Sequence, residues 1–478
     1  MSTSQQASGT WFGHPKGLFV LFFTEMWERF SYYGMRGLMK LYMVNYLFVA
    51  SRQVLQGGEA RVDGDPMAVI GWETVRSWIN SDPSTTAGSY ASVIYGWYTG
   101  LVYLTPVLGG WLADKYLGQR KTVFLGGILM AIGHFIMAFE NMFFIALAFL
   151  IVGCGAFKPN ISTQVGALYP EGDPRRDGAF TIFYMGINLG AFICNLVCGT
   201  LAATLGWHYG FGAAGIGMVL GLVVYALGQK HLAPDTLSLA KAGVAAHGSQ
   251  KSPSQPLSSE EWKRVWALVA LCLLNVVFWA VYEQQGNTMQ TWADERTAWP
   301  VIFGFQVPST WFQSFNPLFI FLLAPLFDMF WAWQARRGTE PTSVGKMAIG
   351  STILGLSFIV MVVGASFVGE EKGSAFWPVV CALLLTMGEL YLSPIGLSLV
   401  TKVAPVRIVS MMMGMWFLSS FLGNTLSGYI GVLFEQKILT ASQFFWFLTA
   451  LGVATGIAMA TFSKPLNRVI LKAKPSSG

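Results

Sequence analysis

Twelve apolar runs divide this chain, at about 16–49, 88–113, 122–140, 143–167, 178–202, 211–230, 262–290, 310–335, 344–368, 375–401, 408–433 and 441–463. Each reaches the roughly 17–25 residues that a tilted helix needs to cross a hydrocarbon core of about 30 Å. They are continuous rather than alternating, which disfavours a barrel of ten-residue strands. Composition closes the soluble alternative, because 54% of the 478 residues are hydrophobic and only 11% charged. Soluble domains carry about 25% charged residues. The expected fold class is an all-α integral membrane protein.

A stretch rich in Ser, Pro, Ala and Gly, 231–261, separates six runs from six and reads as a flexible linker. The two sides echo one another. Lys158-Pro159-Asn160 opens a stretch ending at Pro170, eleven residues beyond Pro159, and Ser393-Pro394 opens one ending at Pro405, again eleven beyond. Met185-Gly186 and Met413-Gly414 follow in the next run of each half. A parallel repeat of six-helix units is the pattern of the major facilitator architecture. The expected division is an N-terminal six-helix bundle over 1–230, the linker over 231–261 and a C-terminal six-helix bundle over 262–478, twelve transmembrane helices in all. Lys16, Lys115, Arg120, Lys121, Arg175, Arg176, Arg336, Arg337, Lys346, Lys402, Arg407, Lys464, Arg468, Lys472 and Lys474 fall on one side with the linker. The other side holds Arg52, Arg61, Arg76, Arg296, Lys372 and Lys437. The richer side is expected to be cytoplasmic, with both termini on it. The polar start, 1–13, lacks a cleavable leader pattern, so the first helix is expected to stay in the mature chain.

Several chemistries find no footing. The net charge of +6 is accounted for by topology, and no nucleic-acid partner is expected. Cys154, Cys194, Cys198, Cys272 and Cys381 lie in apolar runs without CxxC spacing, which supports neither disulfides nor zinc. His14, His134, His208, His231 and His247 form no ligand cluster, and no Walker A or GxSxG motif occurs. Neither a metal, a cofactor nor an enzyme activity is expected. Gly210-Phe211-Gly212-Ala213-Ala214-Gly215 fits GxGxxG, but no strand precedes it and it opens an apolar run, so it reads as helix packing.

Eight charged residues remain inside the runs: Glu25, Glu28, Arg29, Arg36, Lys40, Lys158, Glu283 and Glu389. Each costs roughly 2.5–3.5 kcal/mol at mid-bilayer, so they must face one another or a water-filled cavity. Glu25, Glu28, Arg29, Tyr32 and Arg36 are spaced i, i+3, i+4, i+7 and i+11, one narrow helical stripe. At about 1.5 Å per residue that stripe runs some 17 Å, the length of a transport pathway segment. Leu21, Phe23, Trp27 and Leu38 keep the opposite face apolar. The intramembrane charges of the first half balance to +2 and those of the second to −2. A cavity between such halves suits a zwitterion, an amino acid or a short peptide. Tyr32, Tyr33, Tyr95, Tyr103, Trp279 and Trp416 are candidate pocket aromatics, and Asn188 and Asn316 candidate partners for peptide amides.

Glu25-Met26-Trp27-Glu28-Arg29-Phe30-Ser31-Tyr32-Tyr33-Gly34 matches the ExxERFxYYG motif of the proton-dependent oligopeptide transporter (POT) family. Phe183-Tyr184-Met185-Gly186-Ile187-Asn188-Leu189-Gly190 matches that family's FYxxINxG signature. Gly109-Gly110-Trp111-Leu112-Ala113-Asp114, followed by Gly118, Arg120 and Lys121, resembles the major facilitator loop between helices two and three. The chain is similar to that family over essentially its whole length. The resemblance implies a proton-coupled symporter that imports di- and tripeptides by alternating access, driven by the proton electrochemical gradient. It implies a multi-pass protein of the plasma membrane, in a bacterium the inner membrane, surrounded by lipid, with protons as coupling ion. A monomer is expected.

Residue by residue, the resemblance gives Arg36 and Lys158 the peptide carboxylate and Glu389 the amino terminus. Asn188 and Asn316 become amide contacts, and Tyr32, Tyr103, Trp279 and Trp416 pocket aromatics. Glu25, Glu28, Arg29 and Glu283 become the proton-coupling set, and Arg36–Glu283 and Lys158–Glu389 the gating salt bridges. Kinks at Pro159 and Pro394 are expected to let helices four and ten act as inner gates.

Two departures matter. Animal members carry a histidine after the tyrosine at Tyr95, and here the residue is Gly96. Carboxylates must then do that proton work. Many bacterial members insert two helices between the halves, for which this linker is too short and polar. Two other readings stay open: a carrier of another small solute, nitrate or another anion, and a peptide sensor that does not transport. Glu389 and the bipolar cavity speak against the first, and the short termini against the second.

Overall fold

Away from water a backbone must satisfy its own hydrogen bonds, and continuous apolar runs do so as helices. A computed structural model describes residues 9–48, 69–79, 85–170, 172–235, 237, 257–369, 371–405 and 408–471. Among the residues singled out above, Arg52, Arg61, Arg407, Lys472, Lys474 and linker residues 238–256 lie outside the described residues. The helices are α1 (Lys16–Tyr42), α2 (Trp72–Ile79), α3 (Ala87–Leu104), α4 (Pro106–Leu112), α5 (Gln119–Ile136), α6 (Phe143–Ala167), α7 (Arg175–Thr204) and α8 (Trp207–Gly228). They continue as α9 (Ser259–Tyr282), α10 (Thr288–Glu295), α11 (Phe315–Arg336), α12 (Ser343–Val368), α13 (Phe376–Val403), α14 (Val409–Glu435) and α15 (Ala441–Leu471). Among the described residues, nine helical stretches are long and apolar enough to cross a membrane. The first helix is long enough but carries Lys16, Glu25, Glu28, Arg29, Arg36 and Lys40.

The surface confirms the environment. Leu125, Ile128, Ile132 and Phe135 line one exposed face of α5, and Ile216, Val219, Leu220, Val223 and Leu227 line one of α8. Contiguous apolar stripes of this size are lipid-facing surfaces in a membrane protein. All five cysteines are buried and unpaired.

Two compact units form, the first from Met1–Ala87 with Leu104–Ser249 and the second from Gly88–Tyr103 with Gln250–Gly478. In the first unit α1 packs on α7 and α8, α5 on α6 and α8, and α4 on α6. In the second, α12 packs on α13 and α15, α9 on α14 and α15, and α11 on α13. The sequence division at 230 and 262 differs from this grouping in one place, because α3 clusters with the second unit. The cause is close packing: a Cβ built at Gly96 would lie 2.8 Å from Asn424 O and from Gly428 Cα, and one at Gly100 2.7 Å from Thr425 Oγ1. Ser92 adds a hydrogen bond from Oγ to Asn287 Oδ1 at 2.8 Å.

Proline sets the breaks that place the site. Pro106 restarts the second run as α4, and Thr105 Oγ1 donates to Ile151 O of α6 at 3.0 Å. Pro159 lies inside α6 and takes the usual donor from Gly155 O. Against that carbonyl lies Gly109, where a built Cβ would come within 2.0 Å. Only glycine permits this approach. Pro394 lies inside α13 in the same way. Gly210 of the GxGxxG match sits inside the packing of α8, where its Cβ would meet Leu38 and Cys198 O at 2.6 and 2.7 Å.

Candidate functional site

The first unit gathers its charges on α1. Glu25, Glu28, Arg29 and Tyr32 are all buried, between 0 and 4% exposed, while Arg36 is half-buried. Arg29 Nη2 donates to Glu28 Oε1 at 2.8 Å and its Nε also reaches Glu28 Oε2, a bidentate pair. Arg29 Nε lies 3.1 Å from Glu25 Oε1 one turn earlier. One guanidinium thus holds both carboxylates, and among the described residues Glu25 Oε2 is left buried with no hydrogen-bond partner. The guanidinium of Arg29 also lies 5.2 Å from the Tyr32 ring centre and 5.9 Å from that of Tyr33, and Arg36 lies 5.8 Å from Tyr33.

Lys158, on α6 beside Pro159, stands within electrostatic reach of Glu25 and Glu28. The turn around it is held by Asn160, whose Nδ2 donates to Ala156 O at 2.7 Å and to Gly109 O at 3.2 Å. On α7, a Cβ at Gly190 would meet Met26 O at 2.2 Å, so the FYxxINxG glycine is what lets α7 lie flush on the carboxylate helix. Asn188 is buried, and its Nδ2 is tied to Tyr184 O at 3.0 Å within its own helix. That uses one amide hydrogen, so its Oδ1 acceptor and its second N–H donor can both serve a ligand.

The second unit holds the opposite charge. Helix α9 ends at Tyr282 and passes through a tight turn, Glu283–Gln285, before restarting as α10. Glu283 sits buried at that break, 2% exposed. Next to it, Gln284 Nε2 donates to Ser427 O at 2.9 Å and Asn287 Nδ2 to the same carbonyl at 3.3 Å, which anchors the broken segment to α14.

Glu389 on α13 accepts from two side chains. Tyr282 donates its hydroxyl to Glu389 Oε2 at 2.6 Å, and Asn316 Nδ2 donates to the same oxygen at 2.9 Å. Trp279 is nearby, its ring 5.2 Å from that of Tyr282 at 86°, with its indole Nε1 buried and unpartnered among the described residues. Trp416 is buried and lies over Gly396, two residues past Pro394, where a built Cβ would approach its ring to 2.3 Å. Tyr103 sits at the end of α3 and clusters with this unit rather than with the α1 stripe.

The structure therefore brings together Glu25, Glu28 and Arg29 within one unit, and Trp279, Asn316 and Glu389 within the other. Two members were missed by the sequence reading, Tyr282 and Thr386. Their signal was present as helical spacing, since Tyr282 lies three residues past Trp279 and Thr386 three before Glu389.

Comparison with known proteins matches these features. The chain fits the sequence profile of the POT family over residues 120–241 and 232–447. It is 35% identical to a protein of Bacillus subtilis (strain 168) named Uncharacterized transporter YclF, over 96% of each chain. It is 33% identical to a Di-/tripeptide transporter of Lactococcus lactis subsp. cremoris, over 98% of this chain and 99% of that one. A solved structure of a peptide transporter POT in complex with alafosfalin is 32% identical, covers 98% of this chain and 99% of its own, and superposes with a TM-score of 0.78. Sequence motifs, helical architecture and overall likeness agree, and the chain belongs to the POT family of transporters with the major facilitator fold.

Proposed function

We propose that this protein is a proton-coupled symporter that imports di- and tripeptides by alternating access, driven by the proton electrochemical gradient. The observation that carries the reading is the division of recognition chemistry between the units. One holds a carboxylate pair closed on Arg29, with Lys158 in electrostatic reach and Arg36 two turns further along α1, and the other holds Glu389 fixed by Tyr282 and Asn316. A peptide's carboxylate finds cations in the first and its ammonium an anion in the second. The names and ligands of the relatives point the same way.

In this scheme Arg36 and Lys158 take the carboxylate and Glu389 the amino terminus. Asn188, Asn316, Tyr32, Tyr103, Trp279 and Trp416 line the remainder. Glu25 is the proton carrier of the first unit, because among the described residues its Oε2 is a buried carboxylate oxygen without a donor. Protonation there weakens its hold on Arg29, and protonation of Glu283 releases Arg36. Exchange of the pairs Arg36–Glu283 and Lys158–Glu389 lets the bundles rock, with α6 and α13 yielding at Pro159 and Pro394. The nine apolar spans, together with α1, α3 running into α4, and α5, make twelve crossings. Both termini then lie in the cytoplasm, and the setting is a bacterial inner membrane. The protein works as a monomer without a cofactor other than the coupling proton.

The test is dialanine uptake into proteoliposomes of the purified protein, with and without an inward proton gradient. Accumulation above equilibrium that a protonophore abolishes is the expected result. Binding without accumulation marks a sensor, and neither binding nor uptake turns the search to anions, nitrate first.

A further inference from the structure

Glu389 is oriented by a relay that no family motif quoted above contains. Tyr282 and Asn316 both donate to its Oε2, at 2.6 and 2.9 Å. The second hydrogen of the Asn316 amide goes to Thr386 Oγ1 at 3.0 Å, and that hydroxyl in turn donates to Ala382 O at 2.8 Å. The amide orientation is thereby chemically determined. Reversed, its oxygen would face a carboxylate and a hydroxyl whose proton is already committed. Asn316 thus offers a ligand its acceptor, Oδ1, and not a donor.

The Tyr282 hydroxyl is itself held in place from behind. Its ring stacks on Phe278 with centres 6.0 Å apart at 10°, meets Trp279 edge-on at 5.2 Å, and is only 8% exposed. A hydroxyl on a locked ring fixes the plane of the carboxylate it bonds, whereas a phenylalanine in the same place would fill the space and fix nothing.

We propose that Tyr282 and Thr386 are positioning residues for the amino-terminus end of the site, Tyr282 acting on Glu389 directly and Thr386 through the Asn316 amide. The inference rests on the peptide-symport reading above. An ammonium carries donors and no acceptor, which matches a fixed carboxylate beside an amide oxygen. An acylated amino terminus is neutral and brings a carbonyl oxygen that this arrangement repels.

Uptake kinetics in proteoliposomes test it, with dialanine as substrate and N-acetyl-dialanine as competitor. Tyr282→Phe keeps the ring and removes only the hydroxyl. The expected result is a KM for dialanine about tenfold higher, the loss of one hydrogen bond to a charged group. Turnover stays within about twofold and competition by N-acetyl-dialanine is unchanged, because a positioning group acts on recognition of the ammonium alone. Thr386→Val, which loosens the Asn316 amide, is expected to narrow the dialanine preference in the same direction. Equal weakening of both ligands identifies a packing role and overturns the proposal, as does an unchanged preference in both variants. Wild-type protein that accumulates no dialanine defeats the symport reading, and the inference falls with it. Wild-type accumulation with unchanged preference in the variants defeats the inference alone.

Discussion

Glu25 and Glu28 share one guanidinium but stand in different chemical positions. Both oxygens of Glu28 bond Arg29, while Glu25 spends one and leaves Oε2 bare in a buried site. Glu25→Gln is therefore expected to keep peptide counterflow exchange and lose proton-driven accumulation, measured side by side in proteoliposomes. Glu28→Gln removes the bidentate partner of a buried cation, a change that costs about 3 kcal/mol. Its melting temperature in detergent should fall well below that of Glu25→Gln, and equal melting of the two variants would contradict the unequal sharing. The α1 stripe was legible in the sequence because charge is conspicuous in an apolar run and helical spacing places it on one face. Tyr282 and Thr386 were not, because a tyrosine and a threonine in a membrane helix have many uses. Only coordinates tell a hydroxyl that bonds a carboxylate from one that bonds its own backbone, as Thr99 does to Tyr95 O. Asn188 and Asn316 were legible as amides, but not which end of Asn316 faces a ligand.

Among the elements, α3 carries the plainest mechanical statement. Gly96→Ala is expected to lower stability by about 1–3 kcal/mol, since the added methyl meets backbone rather than a side chain that can turn away. Gly110→Ala, in a helix position with nothing within 4 Å of the built Cβ, is the control and should be neutral or slightly stabilising. Comparable losses in the two would rule out the close approach of α3 to α14. At the end of α6, the loop to α7 ties down the segment before α1: Arg175 Nη1 donates to Gly13 O at 2.9 Å, and Tyr169 hydroxyl and His14 Nδ1 lie 2.8 Å apart. The Arg175 side chain, hydrogen-bonded to Asp173, holds that carboxyl down at about 2 from its ordinary 3.8. Its contribution is fully present above the ordinary value and is lost only as pH falls through about 2. Melting curves of wild type and Asp173→Asn should therefore run parallel across neutral and mildly acidic pH, and a pH-dependent gap there would show that the clamp takes part in proton sensing. Element boundaries were legible where apolar runs met polar ones. The break of α9 into α10 was not, because it falls within one run, at 283–287, where the backbone turns without a proline.

At the scale of the molecule, the repeated halves were legible because proline and glycine punctuate helices at fixed offsets, and the family motifs added direction. The clustering of α3 with the second unit was not, since glycine faces carry no label of their partner. The proposed topology has a direct check. Phe12 and Ile438 are exposed, at 91% and 58%, and the native cysteines are all buried. Single Phe12→Cys and Ile438→Cys variants are expected to react with an impermeant maleimide only from the cytoplasmic and only from the outer face of vesicles, respectively. Labelling of both from one face would break the twelve-helix arrangement, and labelling from exchanged faces would invert it. The contact of Gly96 with Gly428 reaches further, into descent. A lineage holding this pair starts any replacement at 96 from a loss of packing. Any first replacement at 96 strikes the backbone of 424 and 428 and loses stability before a new proton group is gained, and glycine at 428 has nothing smaller to give way to. A larger side chain at 96 and this helix contact are thus alternatives, and the first is expected only together with a change of course in α14.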